Sequence, residues 1–575
     1  MQNSLTARNW AGDLLLVFNS AETLPPGRMG TTWELVKHTT TASFYTTSQA
    51  DQWRGAPLTV WQDEHMEYWL LGEIWGERST ENPANWPGHF ILVGYEPGNK
   101  HWHIWSDRCG TFHACYAGDV QVRALGTFSP SVACFTNRTL DTQALTGFFN
   151  WGFFPNDRTH FEEVKMLRPS SHLEVDVNGR KIKLERTWQW HHEPNKSRSF
   201  SQTVDEFAVI FHRVIQEQTN QRRVAFPISG GLDSRSTIAS LSEGNEQDLR
   251  WTYSYGYESD SIETRIARKI AATRNLPFEA YNISPYLFDR LPIILDSIEG
   301  FQDVTQCRQA FVIDQLAAHS DYVMAAHWGD VWLDDMGTQA YPGMDVVEFA
   351  LRKFSKNGTW LTNKILKPLV PGLDAQNFLP EMLRGELEML AGISDPDFML
   401  KALKTETWSF RWTTASIRMY QPGAFPLLPF YDPRLVDFFC TVPTDFVACR
   451  RLQIEYLKRY APDLARIPWQ VYDASLYWYK YFNSLLIPKR AAKKIYRALS
   501  GKPVLQRNWE VQLLSPGGME NLQQHLLSHG LKILDYVEAK EIGTLLEGFY
   551  VNPQPADAYS ICMLLTFAAW LERYG

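Results

Sequence analysis

Up to about residue 195 the apolar positions fall in short β-branched or aromatic runs bounded by Gly, Pro and Asn, at 14–18, 68–71, 90–93 and 101–105. Such runs predict strands. Residues 172–177 alternate apolar with polar and meet Asn178-Gly179, a strong hairpin signal, so 181–185 is the expected returning strand. One helix, over 141–149, interrupts the series. From about residue 200 the pattern changes to helical spacing, with strands expected near 224–228, 249–255, 277–283 and 322–325. The clearest helix lies over 261–274, where Ile262, Ile266 and Ile270 share a side and Glu263, Arg265 and Lys269 lie on others. Strand–helix alternation predicts a parallel, doubly wound sheet that binds ligands at the carboxyl ends of its strands. Residues 345–422 read as helical.

Composition narrows the class. At 575 residues the chain exceeds one hydrophobic core and suggests two to four domains. With 44% hydrophobic and 21% charged residues it reads as an ordinary soluble globular protein. A net charge of −8 offers no general attraction to nucleic acid or to an anionic membrane, and neither is an expected partner. The 22 tryptophans suit either aromatic-lined clefts or large cores. Seven scattered cysteines show no CxxC pair and no zinc spacing, which fits thiols kept reduced in a cytosol. The N-terminus lacks a signal-peptide pattern, and the apolar run 563–571 is too short to span a bilayer. A cytoplasmic location is the expectation.

The most informative stretch is Arg223 to Ser236, RVAFPISGGLDSRS. An apolar strand ends in Ser229-Gly230-Gly231, followed by Leu232-Asp233-Ser234 and a helix-capable stretch over 237–241. Paired glycines permit a tight turn that aims backbone N–H groups at one point, and a helix N-terminus adds its dipole. With the hydroxyls of Ser229 and Ser234, this suits a phosphate. Asp233 fits beside a phosphate only with a divalent cation between them, an arrangement Mg²⁺ favours. Neither G-x-x-x-x-G-K-[ST] nor G-x-G-x-x-G occurs in the chain.

SGGLDS resembles the PP-loop of ATP pyrophosphatases, and further segments resemble the glutamine-hydrolysing asparagine synthetase family in matching order. Leu71-Gly-Glu-Ile-Trp75 looks like its GEIYN segment, and Asp107-Arg-Cys-Gly-Thr111 like its DRxGxRPLYY segment. Residues 140–145 and 167–175 are similar to its LDPEAL … LPPGHYLEV stretch. The resemblance implies a layered αββα amidotransferase-like domain over 1–197, of the N-terminal-nucleophile type, and a PP-loop synthetase domain over 198–575 with a helical C-terminal part. In the second domain, Ser254, Tyr255 and Gly256 match a strand end that contacts adenine and ribose. Residues 325–330 match the pyrophosphate loop, placing Ala325, Ala326 and Gly329 beside the nucleotide and Asp330 as second metal ligand to Asp233. Residues 423–434 resemble a segment lining the acceptor side, although Asp432 and Arg434 equally suit a structural ion pair. The family's catalytic lysine falls after Pro468 and is matched by either Lys480 or Lys489.

The departures shape the functional expectation. Position 2 is Gln2, where the family carries its nucleophilic cysteine, and the RGPD glutamine-binding segment survives only as an echo at Pro26-Gly27-Arg28. Without a nucleophile there is no thioester route to ammonia, so the first domain is expected to be a scaffold. In the pyrophosphate loop the family's acids are replaced by His327 and Val331. His327 either contacts phosphate or acts as a base, or is a strand-end histidine bonded to backbone. Arg235 stands where the synthetases often carry Ser. The expected activity is an AMP- and pyrophosphate-forming amide synthetase using ATP and Mg²⁺. It would adenylate a small-molecule or peptide carboxylate and pass the acyl group to ammonia or an amine. An intramolecular cyclase of the lasso-peptide or β-lactam type, an enzyme amidating a polysaccharide uronate, and a non-catalytic ATP-binding scaffold are the alternatives. Oligomeric state is not legible in the sequence.

Overall fold

The structure, a computed structural model, describes residues 9–19, 23–48, 53–76, 78, 82–242, 247–258, 261–482, 484, 487–488 and 507–575. The chain is mixed α/β, with one large curled antiparallel sheet followed by a parallel sheet and its helices. The antiparallel sheet has 12 strands. Its hub is Asn9–Phe18, which pairs through residues 14–18 with 42–46 and through 15–17 with 124–126. Beyond an irregularity between Ala11 and Leu14, residues 9–11 pair with 56–58. A bulge of this kind bends the strand and lets one strand serve three neighbours.

The expected N-terminal strands are present as Asn9–Phe18, Glu67–Ile74, Gly88–Glu96, His101–Ser106, Ser171–Val175 and Lys181–Arg186. The helix is Thr142–Trp151, its first turn capped by Asp141 Oδ1, which accepts from Ala144 N at 2.9 Å. At the hairpin, Asp176 Oδ1 accepts from the amides of Asn178 and Arg180, and Gly179 takes the left-handed conformation at φ 83°. Strands Trp33–His38, Ala42–Ser48 and Ala56–Gln62 were not anticipated, nor were the three-residue strands Cys115–Ala117, Ala124–Gly126 and Val164–Met166.

The parallel sheet contains Val224–Pro227, Arg250–Gly256, Phe278–Asn282, Tyr322–Met324 and Phe425–Leu427. Numbered in chain order, the strands lie side by side as 3-2-1-4-5. The order reverses between Val224–Pro227 and Tyr322–Met324. A doubly wound sheet opens its ligand crevice outside the carboxyl ends at that switch point. The helix Ile262–Thr273 is capped by Ser261 and buries Ile266 and Ile270.

The region 345–422 is helical, including Val346–Phe354, Ala375–Glu388 and Pro396–Lys404. It continues as an unusual π-helical segment, Thr405–Thr413. The apolar residues 563–571 lie inside the helix Pro555–Tyr574 and are buried in the core. Among the described residues no helix is long and apolar enough to cross a membrane.

Two buried charge clusters join the antiparallel sheet to the rest of the molecule. Arg28, fully buried, donates to Asp13 and to Glu299, and Arg418 pairs with the same Glu299 at 2.6 Å. Glu406 of the π-helical segment accepts from Arg186 at 2.6 and 3.0 Å and from the Trp190 indole at 2.7 Å, with Arg168 at 3.6 Å. Burying a charge is costly unless it is paired or hydrogen-bonded, as these are. The antiparallel domain therefore grips the segment that carries Trp408 and Trp412.

Candidate functional site at the strand switch point

Pro227 is the last residue of its strand, and Ile228 donates to the Tyr253 carbonyl at 2.8 Å. The loop then turns onto its own hydroxyls. Ser229 N donates to Ser234 Oγ and Gly231 N to Ser229 Oγ, each at 3.1 Å. Two of the amides assigned to phosphate from sequence thus meet serine oxygens. A Cβ at Gly230 would come within 2.6 Å of the Gln470 side chain, so close approach explains that glycine. The following helix, Asp233–Ala239, is short.

Arg235 is fully buried and donates to the carbonyls of Ile467 at 2.8 Å and Pro468 at 2.9 Å. It satisfies orphan acceptors beyond the helix Pro462–Arg466, and burial lowers its pKa to about 10. A serine could not reach these carbonyls. The residue is a strut behind the loop.

Across the switch point, Tyr322–Met324 leads into residues 325–330. Ala325 is buried and donates its N–H to Leu427 O at 2.9 Å. Trp328 holds a left-handed backbone, φ 77°, a conformation costly for a bulky side chain. Its indole donates to Thr405 Oγ1 at 3.0 Å and its ring stacks on Tyr431. A Cβ at Gly329 would stand 2.8 Å from Asp233 Oδ1, so glycine lets the two loops touch.

Asp233 and Asp330 face the same cavity. Burial, reinforced by the Asp330 charge, raises the Asp233 pKa against the opposing pull of Arg450. Arg450 Nη1 donates to Asp233 Oδ1 at 2.7 Å and Gln453 Nε2 donates to the same oxygen at 3.0 Å. A guanidinium therefore stands beside the two carboxylates, reaching also to Asp334 at 3.2 Å.

The cavity holds about 540 Å³, within the range of small-molecule sites. Of the residues singled out from sequence, Ile228, Ser229, Asp233, Ser254, Tyr255, Ala326, His327 and Asp330 line it. Gly230, Gly231, Leu232 and Ser234 shape the loop from outside the lining, and Gly256, Ala325 and Gly329 are buried behind it. Lys480 lies exposed on the 3-10 segment Leu476–Tyr481, away from the cavity wall. Lys489 and Gln2 lie outside the described residues.

Among the described residues, the lysine at the cavity is Lys404, at the junction of helix and π-helical segment. Its Nζ sits 5.2 Å from the Trp328 ring and 5.6 Å from the Trp408 ring. Burial lowers its pKa, Asp330 opposes this, and Lys353 and Lys356 add to it. Arg308, Trp408 and Trp412 complete the wall. No sequence signal marked these residues, because the helical stretch that carries Lys404 has no motif.

His327 is pulled down to about 4, mainly by burial and partly by Arg308, with Asp330 opposing. It is neutral at pH 7 and a weak base. Its buried Nδ1 has no hydrogen-bond partner among the described residues, so it is not bonded through that atom to a described backbone carbonyl.

Asp432 and Arg434 form a bidentate pair at 2.8 Å, with Asp432 buried and bonded to the Trp75 indole. Neither lines the cavity. Cys109, the first cysteine, is buried, and burial together with Asp107 holds its thiol well above the ordinary range, which leaves it unreactive.

A comparison of the chain with protein-family models found no match, and a search among curated proteins found none.

Proposed function

We propose that the chain is an ATP-dependent, AMP- and pyrophosphate-forming amide synthetase of the asparagine synthase type. The net reaction joins a carboxylate and an amine as ATP becomes AMP and pyrophosphate. The observation that carries the reading is the meeting of Asp233 and Asp330 at the sheet's switch point, on a cavity also faced by Ser229, Ser254 and Lys404. Asp233 and Asp330, at adjacent strand ends, would hold one Mg²⁺. The donor set fits the ion. Asp233 keeps 24% of its side chain exposed while Arg450 and Gln453 hold one of its oxygens. Its raised pKa marks a negative charge that a dication would relieve. When bound, Mg²⁺ would neutralise phosphate charge.

The protein's own groups supply positioning and electrostatics, which is most of what phosphoryl and adenylyl transfer requires. The strand end at Ser254 and Tyr255 offers the adenine side, and the Ser229 loop the phosphate side. Lys404 and Arg308 are cations on the cavity wall available for developing charge. Neutral His327 offers an unpartnered nitrogen as a hydrogen-bond partner. The antiparallel domain is read as an amidotransferase-like scaffold whose Glu406 clasp holds the cavity wall.

A second reading concerns the acceptor. A second cavity of about 530 Å³ shares Arg308, Trp408 and Trp412 with the first and adds Trp151, Trp509 and Lys356. That broad aromatic and basic wall favours an acceptor larger than aspartate, such as a peptide or a sugar acid. The test is pyrophosphate release from Mg–ATP over a panel of aspartate, uronic acids and peptides with free carboxylates, with and without ammonia. Release that depends on one acid class supports the reading. Tight ATP binding without release on any acid favours the scaffold alternative.

A further inference from the structure

We propose that the antiparallel sheet carries a binding site for a borderline divalent ion of the Zn²⁺ class, formed by His103, His172 and Glu174, none of which lines the cavity at the switch point. His103 and Glu174 are cross-strand partners, and His172 pairs with Trp105 on the same two strands. Strand alternation turns His101, His103, Trp105, His172 and Glu174 to one face. One donor atom from each of His103, His172 and Glu174 lies within 4.8 Å of the others.

The distances suit a tetrahedral ion. His103 Nδ1 and His172 Nε2 are 3.1 Å apart, against about 3.3 Å for the edge of a tetrahedron with metal–nitrogen bonds of roughly 2.05 Å. Without an ion the two nitrogens share one N–H···N bond, so rotation of each ring about χ2 is needed to aim both lone pairs at a common point. Glu174 supplies an oxygen, and solvent fills the fourth position of this half-buried site.

The surroundings match what metal-bound imidazoles require. A ligating histidine usually sends its second ring N–H to a carboxylate. Here His103 Nε2 faces Glu96 at 3.6 Å, and His172 Nδ1 faces Glu185 at 3.8 Å. The Nε2 of His103 is buried and within hydrogen-bond distance of no partner among the described residues. His101 holds Glu174 from outside at 2.7 Å. Glu96, Glu174 and Glu185 bring three carboxylates to this face, and Lys183 pairs with Glu185 at 2.6 Å. A dication neutralises the remainder.

The experiment is isothermal titration of the full, chelator-treated chain with Zn²⁺, repeated for His172→Ala and for the isosteric Glu174→Gln. One ion per chain is expected for the wild type, with binding at this site lost in His172→Ala. Glu96→Gln should weaken it by ~10-fold or more, as loss of an outer carboxylate does. If wild type takes up no Zn²⁺, or if both His172→Ala and Glu174→Gln keep wild-type stoichiometry and affinity, the proposal is wrong. The cluster is then a hydrogen-bonded histidine pair.

Discussion

Arg450 donates from Nη1 to Oδ1 of Asp233 at 2.7 Å, and so places a fixed cation against a carboxylate that already faces Asp330. Removing that cation by Arg450→Met leaves two like charges facing one cavity. Breaking a buried pair costs ~3–5 kcal/mol, and the partial exposure of Asp233 puts the expected loss near the lower end. Asp233 has a raised folded pKa, so the folded state binds the extra proton and its penalty grows as pH rises through the carboxylate range. The variant should be least stable at neutral pH and recover on acidification. Thermal unfolding at several pH values checks this, and Mg²⁺ should restore part of the loss at pH 7.

Glu406 links the antiparallel sheet to the π-helical wall of the cavity. Burial pushes its pKa up, but Arg186 and Arg168 outweigh burial and the net shift is downward. Its contribution is present above the ordinary glutamate range and is lost as pH falls through the lower folded value. Glu406→Gln takes the carboxylate from Arg186, while Arg168 keeps its bidentate pair with Glu386, and should cost about 3 kcal/mol. Limited proteolysis is expected to find the segment Thr405–Thr413 newly susceptible. Unchanged cleavage and stability would show that the clasp is dispensable.

Trp328 opposes two effects of known size. Its left-handed backbone costs ~1–3 kcal/mol, whereas deleting a buried tryptophan costs ~3–5 kcal/mol. Packing wins. Trp328→Gly should destabilise by about 2 kcal/mol in chemical denaturation and loosen Lys404, which lies over the ring. A stabilised variant would show that strain dominates.

His327, held at about 4, binds fewer protons folded than unfolded between that value and ~6.5. Its contribution to stability is therefore lost as pH falls from about 6.5 to about 4. His327→Gln should flatten that part of the pH–stability profile. Histidine NMR titration of the wild type should find this ring still neutral at pH 6.

Much of the architecture was legible in the sequence because it rests on local patterning. Ser261 and Asp141 cap helices where the spacing placed them, and Asn178-Gly179 forms its turn. The loop at 229–234 and the strand ends at 254–255 and 326–330 converge on one cavity, as strand–helix alternation implied. What escaped depends on contacts distant in sequence. Lys404 and Arg308 reach the cavity through packing and carry no periodic or motif signal. The strand Phe425–Leu427 is too short to stand out, and strand Trp33–His38 is too exposed to show clean alternation. Arg235 looked like a deviation in a loop, and only the carbonyls behind it explain it. Of the two lysines after Pro468, Lys480 is exposed and outside the cavity lining, and Lys489 lies outside the described residues.

The central claim is a Mg²⁺-dependent nucleotide site made by Asp233 and Asp330 together. Calorimetric titration of ATP into the wild type and into Asp330→Asn, each with and without Mg²⁺, tests it most directly. The expected result is tight binding only for wild type with Mg²⁺, with ~10-fold or greater weakening in the variant, about 1.4 kcal/mol or more. Equal affinity with and without Mg²⁺, or an Asp330→Asn chain that binds Mg–ATP as the wild type does, would contradict it.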